Sequence, residues 1–214
     1  MTKNFTRQEE IWRSEFGEQY NLRNIYNNED LDEVFIKIIG ISKTEMHNKF
    51  LGNLNRSIKI LEIGCNIGMM LVNLQKMGFE NLYGIDIQSK AIEKAKERNE
   101  NINFSEGSVF EIPFEDNEFD LVFTTHFLIH LEPGTIEAAM KEINRCAKNY
   151  IFGNEYYAEE MTEIINYHDT KNIAWKGNYS LMYSKLFPEL ELLKEENYKY
   201  LNNNCIDSAF LFKK

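Results

Sequence analysis

The spacing of hydrophobic positions changes along the chain, and each change marks an element. Over residues 6–20 apolar side chains recur at helical spacing, with Trp12, Phe16 and Tyr20 at i, i+4 and i+8 on one stripe, which predicts a helix. A second helix is expected over residues 30–39, where Gly40 breaks the pattern, and Ser42-x-x-Glu45 reads as a capping box opening a third that carries Met46, Phe50 and Leu54. From Ile58 the pattern switches to short β-branched runs alternating with helical periods. Strands are expected at residues 58–63, 82–85, 102–104, 119–124 and 150–152. The intervening helices carry Met70, Leu71, Leu74 and Met77, then Ala91, Ile92 and Ala95, then Ile136, Ala139, Met140, Ile143 and Ala147 on their inward faces.

This β-α-β alternation predicts an α/β fold with a mostly parallel sheet and helices on both faces. Residues 154–178 are polar and aromatic without a clear period. Asn178 is placed to cap a last helix reaching Phe187, and residues 190–198 and 206–212 read as two strands joined by an Asn202-Asn203-Asn204 turn. With no repeat, low-complexity stretch or linker, residues 1–214 are expected to form one domain: an N-terminal helical cap (1–56), a core (57–153), a substrate-side segment (154–178), and a C-terminal helix and hairpin (179–214).

Composition narrows the function classes. Hydrophobic residues make up 43% and charged residues 27% of the chain, a globular balance. The 24 Lys and Arg against 34 Asp and Glu give a formal charge of −10, which repels phosphate backbones and anionic lipid, so neither nucleic acid nor a membrane is expected as a partner. The first residues lack the apolar stretch of a signal peptide, and no apolar run reaches the ~18 residues that span a bilayer, so a cytoplasmic location is expected. Cys65, Cys146 and Cys205 are far apart with no C-x-x-C pair, which points to reduced thiols; no metal site is expected.

The chemical signal is the run Ile60-Leu61-Glu62-Ile63-Gly64-Cys65-Asn66-Ile67-Gly68, a strand followed by a glycine-bracketed turn that opens a helix. Such a turn lets backbone approach a ligand closely, outside the carboxyl ends of the strands. Asp86 ends the next strand at the roughly 20-residue spacing of an acid that bonds ribose hydroxyls. Together they point to a nucleoside-bearing ligand; taken alone, Asp86 could equally cap a helix on an unrelated sheet.

These residues, with Gly107-Ser108, Ile112-Pro113-Phe114 and Phe119-Asp120-Leu121-Val122, resemble the ordered motifs of class I S-adenosylmethionine-dependent methyltransferases from Ile58 to Phe212. Gln8-Glu9-Glu10-Ile11-Trp12, Glu15-Phe16-Gly17, Leu128-Ile129-His130, Arg145-Cys146 and Asn154-Glu155-Tyr156-Tyr157 are similar to the methylases associated with pseudaminic acid biosynthesis, bacterial enzymes found with surface-glycan pathways. The resemblance implies a Rossmann-like, seven-stranded sheet ending in an antiparallel hairpin, and S-adenosylmethionine as cofactor. It implies that Glu62 and the turn of Gly64, Cys65, Asn66 and Gly68 hold the methionine end, with Thr124, Thr125 and His126 passing beside it. Asp86 would grip the ribose, Ile87 the adenine face, and Ser108 (where many relatives carry Asp) and Val109 the adenine edge, under a lid of Trp12, Tyr20 and Arg23.

The expected activity is methyl transfer to a small, polar, anionic metabolite of surface-glycan or capsule biosynthesis: a sugar, a nonulosonic acid or a phosphorylated precursor. A hydroxyl acceptor needs a base, for which His130, His126 and Glu155 are candidates, His130 slightly ahead. An acceptor already ionised needs cationic grips, for which Arg23, Lys171 and Lys176 are candidates, with Tyr156, Tyr157 and His168 completing the pocket. Each has a plainer role: Trp12 in a packed helix face, Cys65 as a small buried residue, the histidines satisfying nearby backbone, and the lysines solvated. Two rival functions remain at this stage. An NAD-type oxidoreductase would need Gly where Asn66 stands, and a non-catalytic cofactor-binding protein would not need the polar residues following the fourth and fifth strands.

Overall fold

A computed structural model describes the backbone of residues 5–24 and 31–214, and side chains over residues 5–21 and 31–214. The N-terminal region forms α1 (Arg7–Arg13), α2 (Glu15–Asn24), α3 (Leu31–Ile39) and α4 (Lys43–Leu51). The single helix expected over residues 6–20 is therefore two, divided at Ser14, whose extended backbone ends α1. Thr6 and Glu9 form a reciprocal capping box at the start of α1, the Thr6 Oγ1 accepting the Glu9 N–H at 3.2 Å and Glu9 Oε2 accepting the Thr6 N–H at 2.7 Å. The expected stripe survives the break, since Trp12 meets Phe16 and Tyr20 edge-on at 5.4 and 5.0 Å. Ser42 caps α4 by accepting the Glu45 N–H, but Leu54 lies beyond that helix's end.

The alternating region follows as β1 (Lys59–Ile63), α5 (Met69–Lys76), β2 (Asn81–Asp86), α6 (Ser89–Arg98), β3 (Asn103–Glu106), β4 (Phe119–Thr125), α7 (Ile136–Cys146) and β5 (Ala147–Tyr156). A short ribbon of β6 (Thr162–Glu163) and β7 (Trp175–Lys176), then α8 (Tyr179–Leu186), β8 (Glu191–Lys199) and β9 (Ile206–Lys213), complete the chain. The main sheet has seven strands in the order β3-β2-β1-β4-β5-β9-β8. Its first five strands are mutually parallel, and β9 inserts antiparallel between β5 and β8. This is the expected Rossmann-like, mostly parallel seven-stranded sheet ending in an antiparallel hairpin. Its strand order reverses between β1 and β4, which opens a crevice at the carboxyl ends of the strands.

Two apolar cores form on the two faces. One joins α3, α4 and α5 to Ile60, Phe123 and Phe152; the other joins α7 and α8 to Leu61, Val122, Ile151 and Phe210. Period-2 alternation along each strand sends successive residues to opposite cores. Strand β5 is longer than the expected 150–152, because β9 pairs with it from Tyr150↔Lys213 to Tyr156↔Asp207. The segment expected to cover the substrate from residue 154 thus begins as sheet. Among the described residues no helix is long and apolar enough to cross a membrane.

Gly153 tests the sheet packing, since a Cβ there would lie 2.2 Å from the Phe210 ring. Gly153→Ala should lower stability by about 1–3 kcal/mol through overpacking, read as a fall of several degrees in Tm. Gly134→Ala, with nothing within 4 Å of the added carbon, should leave Tm nearly unchanged. Equal Tm for the two variants would contradict this packing.

Candidate active site

The crevice holds a cavity of about 360 Å³. One half is built by the β1–α5 turn. Gly64 and Gly68 both adopt left-handed backbone, at φ +70° and +81°. A Cβ at Gly64 would collide with the Phe127 ring, and one at Gly68 with the Phe104 ring, so both close approaches require glycine. Asp86, at the end of β2, accepts the Asn66 N–H through Oδ2 and the Gln88 N–H through Oδ1, each at 2.9 Å. Burial raises its pKa, opposed by those donors. Glu62 is buried on β1, its pKa raised well above the usual carboxylate range by burial, with the Lys43 charge pulling the other way. Its Oε2 has no partner, and the same is true of the buried Asn66 Oδ1, Thr125 Oγ1 and Trp12 Nε1, all from residues lining the cavity.

Helices α1 and α2 lie over this half. Asn21 donates to the Gln88 side chain at 2.6 Å and accepts from the Asn66 side chain at 2.8 Å. Arg13 reaches the Ile87 carbonyl and Glu106, and the Ser108 hydroxyl donates to Glu9 Oε1 at 2.5 Å. Trp12, Tyr20, Cys65, Ile87, Ser108 and Val109, all named as cofactor contacts by the resemblance, line the cavity. Gly68 does not, and serves instead the packing of Phe104. Thr124 does not either: strand alternation turns it to the opposite face, where it bonds Glu155, and leaves Thr125 at the cavity. The Arg23 side chain lies outside the described residues.

The other half gathers His126, His130, Tyr156, Tyr167, His168 and Tyr200. His126 leaves β4 in a left-handed conformation, φ +48°, which is uncommon for a non-glycine residue. Its Nε2 lies 2.9 Å from Oδ2 of Asp207, a fully buried carboxylate on β9. His130 sits in an aromatic wall, 4.4 Å from Trp12 and 5.3 Å from Tyr167 between ring centroids, with Nδ1 at 3.3 Å from the Ile173 carbonyl. Burial lowers its pKa to about 3, so it stays neutral across the physiological range.

Several expected residues lie elsewhere. Glu155 faces α8, where its carboxylate accepts the Phe127 N–H at 3.3 Å; it is fully buried and does not line the cavity. Tyr157 follows the end of β5 and pairs its N–H with the Ile206 carbonyl, off the cavity. Lys171 is exposed, and Lys176 points to Cys205, its Nζ 3.3 Å from the sulfur; neither lines the cavity. Conversely, Asp207, Gln88 and Tyr200 were not expected. Lys43 is another unforeseen residue, fully buried on α4 and lowered to about 8 by burial, with Asp207, Glu62 and Glu155 opposing the shift. Only Gln8 and Glu9, within a motif that already stood out, carried a local signal.

Residues 60–150 match the methyltransferase domain family. An uncharacterised methyltransferase of Schizosaccharomyces pombe is 32% identical over 102 residues, covering 42% of this chain and 36% of that protein. Demethylmenaquinone methyltransferase of Staphylococcus aureus is 34% identical over 98 residues, covering 44% and 40%. Magnesium protoporphyrin IX methyltransferase of Synechocystis, solved with bound S-adenosylmethionine, superposes over 100% of both chains with a TM-score of 0.70 at 13% identity, a likeness of fold. The chain spans only 36% to 58% of the length of the first relatives it matches.

Glu155 yields a pH signature. Burial raises its pKa from 4.5 to about 7, so its contribution to stability is full below the unfolded value and is lost as pH rises through about 7. Glu155→Gln removes the buried charge and should stabilise the protein relative to wild type by on the order of 3 kcal/mol at pH 8. Most of that gap should vanish at pH 5. Denaturant midpoints at both pH values measure it, and a gap independent of pH would refute the assignment.

Proposed function

We propose that this chain, whose residues 60–150 match the methyltransferase domain family, is one catalytic unit of the class I S-adenosylmethionine-dependent kind that methylates a small polar metabolite. The observation that carries this is the pairing of Glu62 and Asp86 on either side of the Gly64–Gly68 turn, at the crevice where the strand order reverses. The donor set suits the cofactor. The unpartnered Glu62 oxygen is an acceptor for an α-ammonium, and Asp86, held by two backbone donors, retains lone pairs for ribose hydroxyls. Ile87, Ser108 and Val109 offer an apolar slot with a polar edge for adenine.

When bound, S-adenosylmethionine supplies an electrophilic methyl group on a sulfonium. The chain's contribution is to hold the acceptor in line with that methyl, and positioning of this kind can supply ~7–11 kcal/mol. Helix α2 and the loop of the β6–β7 ribbon meet beside the cavity through the Tyr20 and Tyr167 hydroxyls at 3.3 Å, which narrows the path of water to the reacting atoms. The walls opposite the cofactor half are aromatic and hydroxyl-bearing, a surface for a small metabolite and too confined for a folded protein.

The motifs shared with the pseudaminic acid-associated methylases support a metabolite of bacterial surface-glycan or capsule biosynthesis as the acceptor. Lys171 and Lys176 stand off the cavity, so they do not supply there the cationic grip that an ionised acceptor would need. The formal charge of −10 supports a small molecule over nucleic acid.

S-adenosylhomocysteine at a hundredfold excess over its Kd should stabilise the folded chain by about 2.7 kcal/mol, seen as a rise of several degrees in Tm. Glu62→Gln and Asp86→Asn should each weaken that binding at least tenfold while remaining folded. Stabilisation by NADH and none by S-adenosylhomocysteine would overturn the proposal. Transfer of labelled methyl to a panel of nucleotide sugars and nonulosonic acids then tests the acceptor.

A further inference from the structure

The acceptor half of the cavity contains a hydrogen-bonded pair drawn from opposite ends of the sequence. His126 comes from the exit of β4 and Asp207 from the start of β9, opposite Tyr156 in the β5–β9 register. The imidazole Nε2 lies 2.9 Å from Asp207 Oδ2, and the His126 N–H is pinned to the Asn154 carbonyl at 2.8 Å. The Asn154 side-chain amide and the Tyr200 hydroxyl both donate to the same Asp207 oxygen, each at 3.4 Å. The Asn154 amide nitrogen also lies 3.2 Å from Nε2, but the shorter contact is to a carboxylate that can only accept, so we assign the hydrogen to Nε2, which leaves Nδ1 as a lone-pair acceptor. The ring lines the cavity and rests on Tyr156 at 4.8 Å. Its left-handed backbone is held by the Asn154 contact, an uncommon conformation kept beside a cavity.

We propose that the methyl acceptor is a hydroxyl, that His126 is the base that takes its proton, and that Asp207 is the positioning residue that fixes the imidazole. This rests on the methyltransferase reading. The acceptor O–H bond breaks as its proton passes to Nδ1. The new O–CH3 bond forms as the S–CH3 bond breaks, its electron pair staying on sulfur, and the proton later leaves the imidazolium for solvent.

The alternatives fit less well. A carboxylate or phosphate is already ionised and needs a cation more than a base, and among the described residues no Lys or Arg lines the cavity. A neutral amine needs no base at all. His130 leaves a buried, unpartnered Nε2 while its Nδ1 meets the Ile173 carbonyl, but it has no carboxylate partner and burial holds its pKa near 3, which makes it the weaker base. The titratable groups facing the pair are Tyr156 from β5, Tyr200 from the β8–β9 turn, Glu155 behind the sheet, His130, and the buried Lys43 of α4.

The test uses the full chain labelled with 15N-histidine. Binding of S-adenosylhomocysteine is measured first, and its absence would sink the methyltransferase reading separately. Long-range 1H–15N spectra at pH 8 should show His126 as the Nε2–H tautomer. Asp207→Asn, whose amide can donate to Nε2, should shift it to Nδ1–H. A wild-type Nδ1–H tautomer, or one unchanged in the variant, overturns the proposal. In parallel, label from S-adenosylmethionine is followed into a deproteinised bacterial metabolite extract. A base-stable O-methyl ether supports the assignment; a base-labile methyl ester or an N-methylated product refutes it. His126→Asn, which tolerates the left-handed backbone, and Asp207→Asn should each lower kcat by roughly 10²–10⁴ with S-adenosylhomocysteine affinity nearly unchanged. Wild-type kcat in both would also refute it.

Discussion

Two backbone N–H groups, from Asn66 and Gln88, end on the two oxygens of Asp86 at 2.9 Å. A carboxylate at the floor of a buried crevice is costly unless its charge is hydrogen-bonded, and these donors meet that condition. They also join the turn after β1 to the turn after β2, so the pocket's shape and its charge are set by the same contact. The clasp extends outward, because the side chains of Asn66 and Gln88 both bond Asn21 on α2. The roof is thereby keyed to the floor, and α1 and α2 sit where they can cover whatever the turn holds.

Charge is unevenly spread inside this molecule. Glu62, Asp86, Glu155 and Asp207 are all buried, and each has a defined neighbour: the Lys43 charge, two backbone donors, the Phe127 N–H, and His126. Lys43 is the buried cation that faces Asp207, Glu62 and Glu155 together, from a helix that precedes the sheet in sequence. Burial pushes the three glutamate and aspartate groups of β1, β2 and β5 upward in pKa, which favours their neutral forms and disfavours anions nearby. The fold alone would not say so, since one fold carries many chemistries and only the site discriminates among them.

The cofactor half was legible in the sequence because its determinants are local. A strand, a glycine-bracketed turn and an acid one strand later lie within about 25 residues, and short-range spacing is what hydrophobic periodicity and turn chemistry report. Glu62, Gly64, Asn66 and Asp86 stand where that pattern put them. The seven strands were legible for the same reason, and the ends of β5 were not, because β9 pairs with it from some fifty residues away.

The acceptor half depends on contacts that no local pattern encodes. Whether Glu155 or Tyr156 meets the cavity is decided by strand phase, and alternation over one residue sends the first to α8 and the second to the pocket. His126 and His130 look alike in sequence, separated only by Phe127, Leu128 and Ile129. Tertiary structure separates them: one meets Asp207, the other is walled in by Trp12 and Tyr167 from two distant segments. Lys171 and Lys176 carried charge suited to an anion, but one is exposed and the other points to Cys205, both off the cavity. Sequence by itself therefore determined the sheet and the cofactor turn, whose hydrogen bonds and periodicities are short-range. Burial, strand phase and the partner of each polar side chain were decided only when distant strands paired, because those quantities are properties of the assembled sheet.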